Sequence, residues 1–168
     1  MLEKEKTCFF TGHRNLPKHQ TGQVHDILKK QILFLYENYK VDTFISGGAL
    51  GFDLLAAKTV LLLKETIPEL KLLVYLPCYG QEKFWSDPQR YQFRLILSKA
   101  DQYRYISPEP YTKDCMKKRN YKMVNDSSFG IAYYILSRSG TGQTIRYAQS
   151  HCVSVYNIAD ELYAENTK

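Results

Sequence analysis

The sequence predicts an α/β fold, a three-layer sandwich around a mainly parallel sheet. Three observations carry this. Short apolar runs of strand length alternate with amphipathic runs of helix length along the whole chain. The run from Leu70 to Leu76 is apolar almost throughout, as in a strand covered on both faces. Glycine-rich turns stand where strands give way to helices. Parallel strands need crossovers, and a helix on each crossover covers one face of the sheet.

Thr7 to Thr11 reads as the first strand and ends in Gly12-His13-Arg14. A helix follows from about Thr21 to Tyr39, with Ile27, Leu28, Ile32 and Leu35 on one face. Asp42 to Ser46 is the second strand. It breaks at Gly47-Gly48 and resumes as an apolar helix from about Gly51 to Glu65. Leu70 to Leu76, closed by Pro77, is the third strand and is expected at the centre of the sheet. A helix from about Gln89 to Lys99 leads to a strand at Tyr103 to Ile106, and a helix from about Lys113 to Asp126 leads to a strand at Phe129 to Ile135. The polar turn Ser137 to Gln143, a helix to about Ser150 and a strand at Val153 to Tyr156 follow. Asn157 to Lys168 reads as a short helix or a frayed tail. The arrangement is Rossmann-like, a single domain over residues 1–168. The long connections Cys78 to Pro88 and Ser107 to Thr112 are where lids would form.

The composition excludes several classes. With 168 residues, 44% hydrophobic and 24% charged, six prolines and nine glycines, the chain has the makings of a packed core and is neither disordered nor fibrous. No run approaches the ~18 apolar residues of a membrane span. The opening Met1 to Lys6 lacks the pattern of a signal peptide. Cys8, Cys78, Cys115 and Cys152 are scattered without a C-x-x-C pair, so they read as reduced thiols in cytoplasm, with neither a zinc site nor a disulfide framework. The net charge of +6 suits an anionic partner without choosing between nucleic acid and a phosphate ester. Lys113, Lys117, Lys118, Arg119 and Lys122 concentrate near one helix, as a solvated basic face or as part of a site. The fourteen tyrosines read first as half-buried packing and second as stacking platforms.

In an open parallel sheet, ligands bind beyond the carboxyl ends of the strands. Three turns at that edge carry chemistry. Ser46-Gly47-Gly48-Ala49-Leu50-Gly51-Phe52-Asp53 allows close backbone approach and offers free N–H groups to an anion such as phosphate. Asp53, in the first helical turn, would repel phosphate and is expected to cap backbone N–H groups or accept from a ribose hydroxyl. A bulkier residue at Gly48 is expected to close the phosphate approach without unfolding the domain. Ser137 to Thr144, with Ser139, Gly140, Thr141, Gly142 and Thr144, is a second candidate cradle. In the third turn, Thr11-Gly12-His13-Arg14, Arg14 can fork onto a phosphate and His13 can donate to one. Arg119 and Asn120 lie on the helix before the strand that feeds the second cradle. There is no P-loop lysine motif, catalytic triad order or metal-ligand cluster.

These turns in this order resemble the SLOG superfamily, which includes DNA-processing protein A and the LOG phosphoribohydrolases, and within it the YpsA-like branch. The residues that carry the resemblance are Thr11 to Arg14, Ser46 to Asp53, Arg119 to Val124 and Ser139 to Gly142. The resemblance implies a Rossmann-like fold, a nucleotide-derived ligand over the two glycine turns, and a cytoplasmic bacterial protein with a role in growth or division. In the LOG enzymes an arginine on the preceding helix and a glutamate after the second glycine turn are associated with cleavage of the N-glycosidic bond. Met116 to Met123 is similar to the arginine segment, but Thr144 stands where the glutamate would be. A threonine cannot serve as general acid or steady an oxocarbenium-like centre.

The sequence therefore ranks three functions. First is binding, without turnover, of an ADP-ribose-like or NAD-like molecule by Thr11, Gly12, His13, Arg14, Ser46, Gly47, Gly48, Gly51, Asp53, Arg119, Asn120, Ser139, Gly140, Thr141, Gly142 and Thr144. Second is a nucleoside-monophosphate N-glycosidase, with Arg119 and Asp53 as candidate catalytic residues. Third is single-stranded DNA binding. No cofactor or metal is required, no membrane is involved, and a homodimer is compatible with the aromatic surface.

Overall fold

The computed structural model describes residues 2–135 and 139–166. Among them strands and helices alternate: β1 (Thr7–Gly12), α1 (Thr21–Tyr39), β2 (Thr43–Ser46), α2 (Phe52–Lys64), β3 (Lys71–Leu76), α3 (Asp87–Lys99), β4 (Gln102–Tyr105), α4 (Cys115–Asn125), β5 (Phe129–Tyr133), α5 (Gly140–Ser150), β6 (Ser154–Asn157) and α6 (Ile158–Asn166). The six strands form one sheet in the order β4-β3-β2-β1-β5-β6, and every pair is parallel. From β1 the chain moves outward to β4, then returns past β1 to add β5 and β6 on its other side. The strand order thus reverses between β1 and β5, the place where such sheets open a crevice.

Alternation along the strands sorts the core into two layers. Cys8, Phe10, Phe44, Leu72, Val74 and Leu76 pack with the apolar stripes of α1, α2, α3 and α6. Phe9, Ile45 and Tyr75 point the other way and pack with Met123 and Val124 of α4 and Ala148 of α5. In α1, Val24, Ile27, Leu28, Ile32 and Leu35 are buried at three- and four-residue spacing, and the helix stops at Lys40, left-handed at φ 60°. The start of α3 is fixed by a reciprocal cap in which the Ser86 hydroxyl accepts from the Gln89 N–H and the Gln89 side chain accepts from the Ser86 N–H.

Two differences from the sequence reading bear on the site. β3 is not central: it lies between β2 and the edge strand β4, and its apolar run reflects cover from α2 on one face and α4 on the other. The second glycine segment is not an extended turn, because Ser139 caps α5 and Gly140 to Gln143 form its first helical turn. Ser137 and Arg138 lie outside the described residues. The C-terminal stretch resolves in favour of a helix, since Ile158, Ala159 and Leu162 of α6 are buried. Among the described residues no helix is long and apolar enough to cross a membrane.

Candidate functional site

The turns after β1, β2 and β5 meet at the reversal of strand order. The His13 N–H donates to the Tyr133 carbonyl at 3.2 Å, and the Phe52 N–H donates to the His13 carbonyl at 3.1 Å. The Ile135 N–H donates to His13 Nε2 at 2.9 Å, so the ring bridges the first turn to the chain leaving β5. Gly51 makes this convergence feasible. Its φ is 79°, and a Cβ there would overlap the Arg14 carbonyl, so no other residue lets the two turns approach. Gly12 plays a packing part: a Cβ would run into the Phe52 side chain.

The first glycine turn is braced from within. The Ser46 hydroxyl donates to the Asp53 carbonyl at 2.9 Å and accepts from the Gly48 N–H at 3.2 Å. Asp53 Oδ2 accepts from the Ala49 N–H at 3.4 Å, a loose form of the cap expected from its position. Gly48 has φ 67°, but a Cβ there would sit 3.0 Å from Leu76 Cδ2 and 3.2 Å from Val74 Cγ1. Its missing side chain therefore faces the sheet. The expectation that a bulkier Gly48 would block a phosphate is corrected: the substitution would strain the backbone and crowd β3. The glycine that leaves room for charge is Gly47, where a Cβ would lie 2.6 Å from Asp53 Oδ2 and 2.7 Å from Arg119 Nη1.

Arg119 is not part of a solvated basic face. It is 4% exposed, while Lys113, Lys117 and Lys118 around it are exposed. Its Nη1 donates to the Gly47 carbonyl and, at 3.5 Å, to the Tyr75 carbonyl, and its Nε donates to Asn120 Oδ1 at 2.7 Å. Asn120 in turn borders the second cradle, with Nδ2 4.0 Å from where a Gly140 Cβ would be. Arg119 thus ties α4 to the first glycine segment, and Asn120 lies beside the second. Because most of the guanidinium's donors are spent on the scaffold, Arg119 holds the first turn in shape. Arg14 is exposed, and its charge still reaches both Asp53 and Arg119.

Burial dominates the electrostatics. Asp53 is 5% exposed, and burial pushes its carboxyl up to about 6 against the opposing pull of the Arg119 guanidinium, the Ala49 N–H and Arg14. Burial also lowers Arg119 from its usual value, with Asp53 acting in the other direction. A guanidinium keeps its charge at neutral pH, so the pair is a fixed cation beside a carboxyl that titrates near neutrality.

At the second segment, the Ser139 hydroxyl accepts from the Gly142 N–H at 3.3 Å. That leaves the first N–H groups of α5 without an intrahelical partner. Thr141 is 7% exposed and Thr144 1%, and the Thr144 hydroxyl donates back to the Gly140 carbonyl at 2.7 Å. Thr11, 5% exposed, lies within β1 opposite Ala132. Of the sixteen positions singled out in the sequence, His13, Arg14, Asn120, Ser139 and Gly140 keep partly or fully exposed surface at this edge. The others lie beneath them, apart from Gly12 and Gly51, which are partly exposed.

One participant was missed. The Gln81 Nε2 donates to the Gly48 carbonyl at 3.2 Å, laying the connection between β3 and α3 over the first turn. The length of that connection marked it as a lid, but nothing in the sequence singled out Gln81. Cavities among the described residues lie elsewhere, such as one of about 420 Å³ at the opposite edge of the sheet, beside Lys6, Lys71 and Asp101, and one of about 530 Å³ between α2 and α3.

The site is thus a set of turns on a Rossmann-like sheet that meet beside a buried arginine and aspartate. The family model described as the YspA SLOG family (YpsA) matches residues 9–154, and the chain belongs to this family. Relatives include the uncharacterized SPbeta prophage-derived protein YoqJ of Bacillus subtilis, 33% identical with 63% of this chain and 68% of that one covered. The UPF0398 protein BH1768 of Halalkalibacterium halodurans is 32% identical, with 82% and 70% covered. The UPF0398 protein YpsA of Bacillus subtilis is 32% identical, with 62% and 57% covered, so the match takes in little more than half of that relative. Among solved structures, DNA processing protein A from Helicobacter pylori, described for its single-stranded DNA binding mode, superposes with a TM-score of 0.63 at 16% identity, over 97% of this chain and 74% of that one. The Streptococcus pneumoniae counterpart gives 0.65 at 18%, over 96% and 57%. At such identities the likeness is one of fold.

Proposed function

We propose that the chain binds a nucleotide-derived, phosphate-bearing small molecule of the ADP-ribose or NAD kind, as a sensor or sequestering module, without turning it over. The observation that carries this reading is the exposed Arg14 guanidinium, carried on Gly51 at the reversal of strand order, beside a glycine turn that Arg119 holds rigid from below. Phosphate oxygens would take charge-assisted hydrogen bonds from Arg14 and backbone N–H groups from the start of α5. Thr144, buried and bonded to its own helix, supplies no carboxylate where the LOG enzymes use one, which favours binding over hydrolysis.

Calorimetric titration with ADP-ribose, NAD and AMP tests this. Arg14→Ala should weaken the best of them at least about tenfold, the loss expected for one charge-assisted hydrogen bond. Absence of binding by all three would end the reading, and unchanged affinity in Arg14→Ala would end the assigned phosphate position.

One observation favours the second reading, an N-glycosidase. A carboxyl near pH 6 is suited to proton transfer, and Asp53 is such a group. Release of free base from a nucleoside monophosphate, lost in Asp53→Asn, would establish it. Should oligonucleotide binding appear instead, falling steeply with salt and indifferent to free nucleotide, single-stranded DNA is the ligand.

A further inference from the structure

Cys78 and Cys115 are 37 residues apart in sequence, yet the Cys115 Sγ lies 3.4 Å from the Cys78 Sγ. The two residues are 1% and 0% exposed, and both lie near enough to Arg119 to act on its charge. Each stands at the end of a long connection. Cys78 opens the connection from β3 to α3, and Cys115, the first residue of α4, closes the one from β4. The two connections are already joined beside the sulfurs: the Ser107 N–H donates to the Pro77 carbonyl and the Tyr79 N–H to the Glu109 carbonyl, both at 3.1 Å. Residues 108–114 are otherwise exposed. Gln81, three residues after Cys78, holds the Gly48 carbonyl, and Arg119, one helical turn after Cys115, holds the Gly47 carbonyl.

We propose that Cys78 and Cys115 form a modification site, an intramolecular disulfide that staples the connection lying over the first glycine turn to the start of α4. A disulfide bond spans about 2 Å, so the sulfurs need approach by little more than 1 Å. A small peroxide is the oxidant. One sulfur, as thiolate, attacks a peroxide oxygen; the O–O bond breaks, and hydroxide leaves and is protonated to water. The resulting sulfenic acid is attacked by the other sulfur, the S–O bond breaks, and a second water leaves, so two thiols and one hydrogen peroxide give one disulfide and two waters. Burial and the neighbouring Cys115 push the Cys78 thiol up to about 11. At neutral pH Cys78 therefore reacts slowly while covered, both sulfurs being buried, and oxidation follows opening of the exposed 108–114 segment.

The link is independent of the proposed ligand; its effect on ligand entry rests on that reading. The test uses the full chain with the exposed Cys152 replaced, Cys152→Ser, treated with hydrogen peroxide. Expected is the loss of two hydrogens by intact mass and a cross-linked peptide joining Cys78 to Cys115, absent in either Cys78→Ser or Cys115→Ser. Amide hydrogen exchange across 78–86 and 107–114 should slow about tenfold and recover with dithiothreitol. Sulfinic acids or free thiols without the link would overturn the site, and a link with unchanged exchange would overturn the staple. ADP-ribose titration of both forms separates the two readings. No binding to either form removes the ligand reading and leaves the disulfide standing, whereas equal binding to both removes its control of the turn.

Discussion

Asp53→Asn gives a direct measure of how the buried charge pair is held. In the folded chain the carboxyl is raised from 3.8 to about 6, chiefly by burial. The folded state therefore prefers the protonated form. Its contribution to stability is full below the unfolded value, is lost as pH rises towards the folded value, and is constant above it. The gap between the two values amounts to about 3 kcal/mol at about 1.36 kcal/mol per pH unit. Between about pH 4, where the unfolded carboxyl is already half titrated, and about pH 7.5, most of this is recoverable, about 2 kcal/mol. Urea unfolding followed by the fluorescence of Trp85, which packs edge-on against Phe93, supplies the assay. Arg119 is present in both proteins, so the stability of the parent chain minus that of Asp53→Asn isolates the carboxyl's titration. That difference should fall by about 2 kcal/mol across the range. A flat difference would mean that Arg119 offsets burial completely, and a rising one that attraction outweighs burial. Either result refutes the electrostatic account.

Two further substitutions separate brace from backbone. Arg119→Ala should cost about 3–5 kcal/mol at neutral pH, because it strands the Asp53 charge and frees the Gly47 carbonyl, and clearly less near pH 4.5, where Asp53 is mostly neutral; unfolding curves at the two pH values check this. Gly51→Ala should cost at least about 3 kcal/mol, more than Gly48→Ala, because its added methyl meets a backbone carbonyl while that of Gly48 meets movable side chains; denaturant midpoints at unchanged slope read the order.

The fold was largely legible because its signals are local. The stripe Val24, Ile27, Leu28, Ile32 and Leu35 places α1, and Gly47-Gly48 ends β2 where it does. The three turns were found because glycine marks them. What escaped depends on partners distant in sequence. Arg119 sits among exposed lysines, and only the packing of α4 under the Gly47 carbonyl shows that it alone turns inward. The apolar run of β3 suggested a central strand because cover on both faces, which it has, was taken for centrality, which strand order alone decides. Cys78 and Cys115 fit no spacing motif, since they meet only through β3 and α4. That a side chain at Gly48 would crowd β3 was hidden because nothing in sequence says where a missing Cβ would point.

The reversal of strand order has a consequence for how the chain comes into being. β1 pairs with β5 through contacts such as Phe9 with Gly130 and Thr11 with Ala132, whose strands are more than a hundred residues apart. A chain emerging from synthesis can lay β1 to β4 side by side with α1 to α3 and bury the larger core layer, yet one long side of β1 stays bare until α4 has passed. Contacts of such separation close slowly. The edge that awaits β5 is thus the last to be covered, and it borders the turns that meet there, so the nascent chain exposes an unpaired central strand until the candidate site itself is complete.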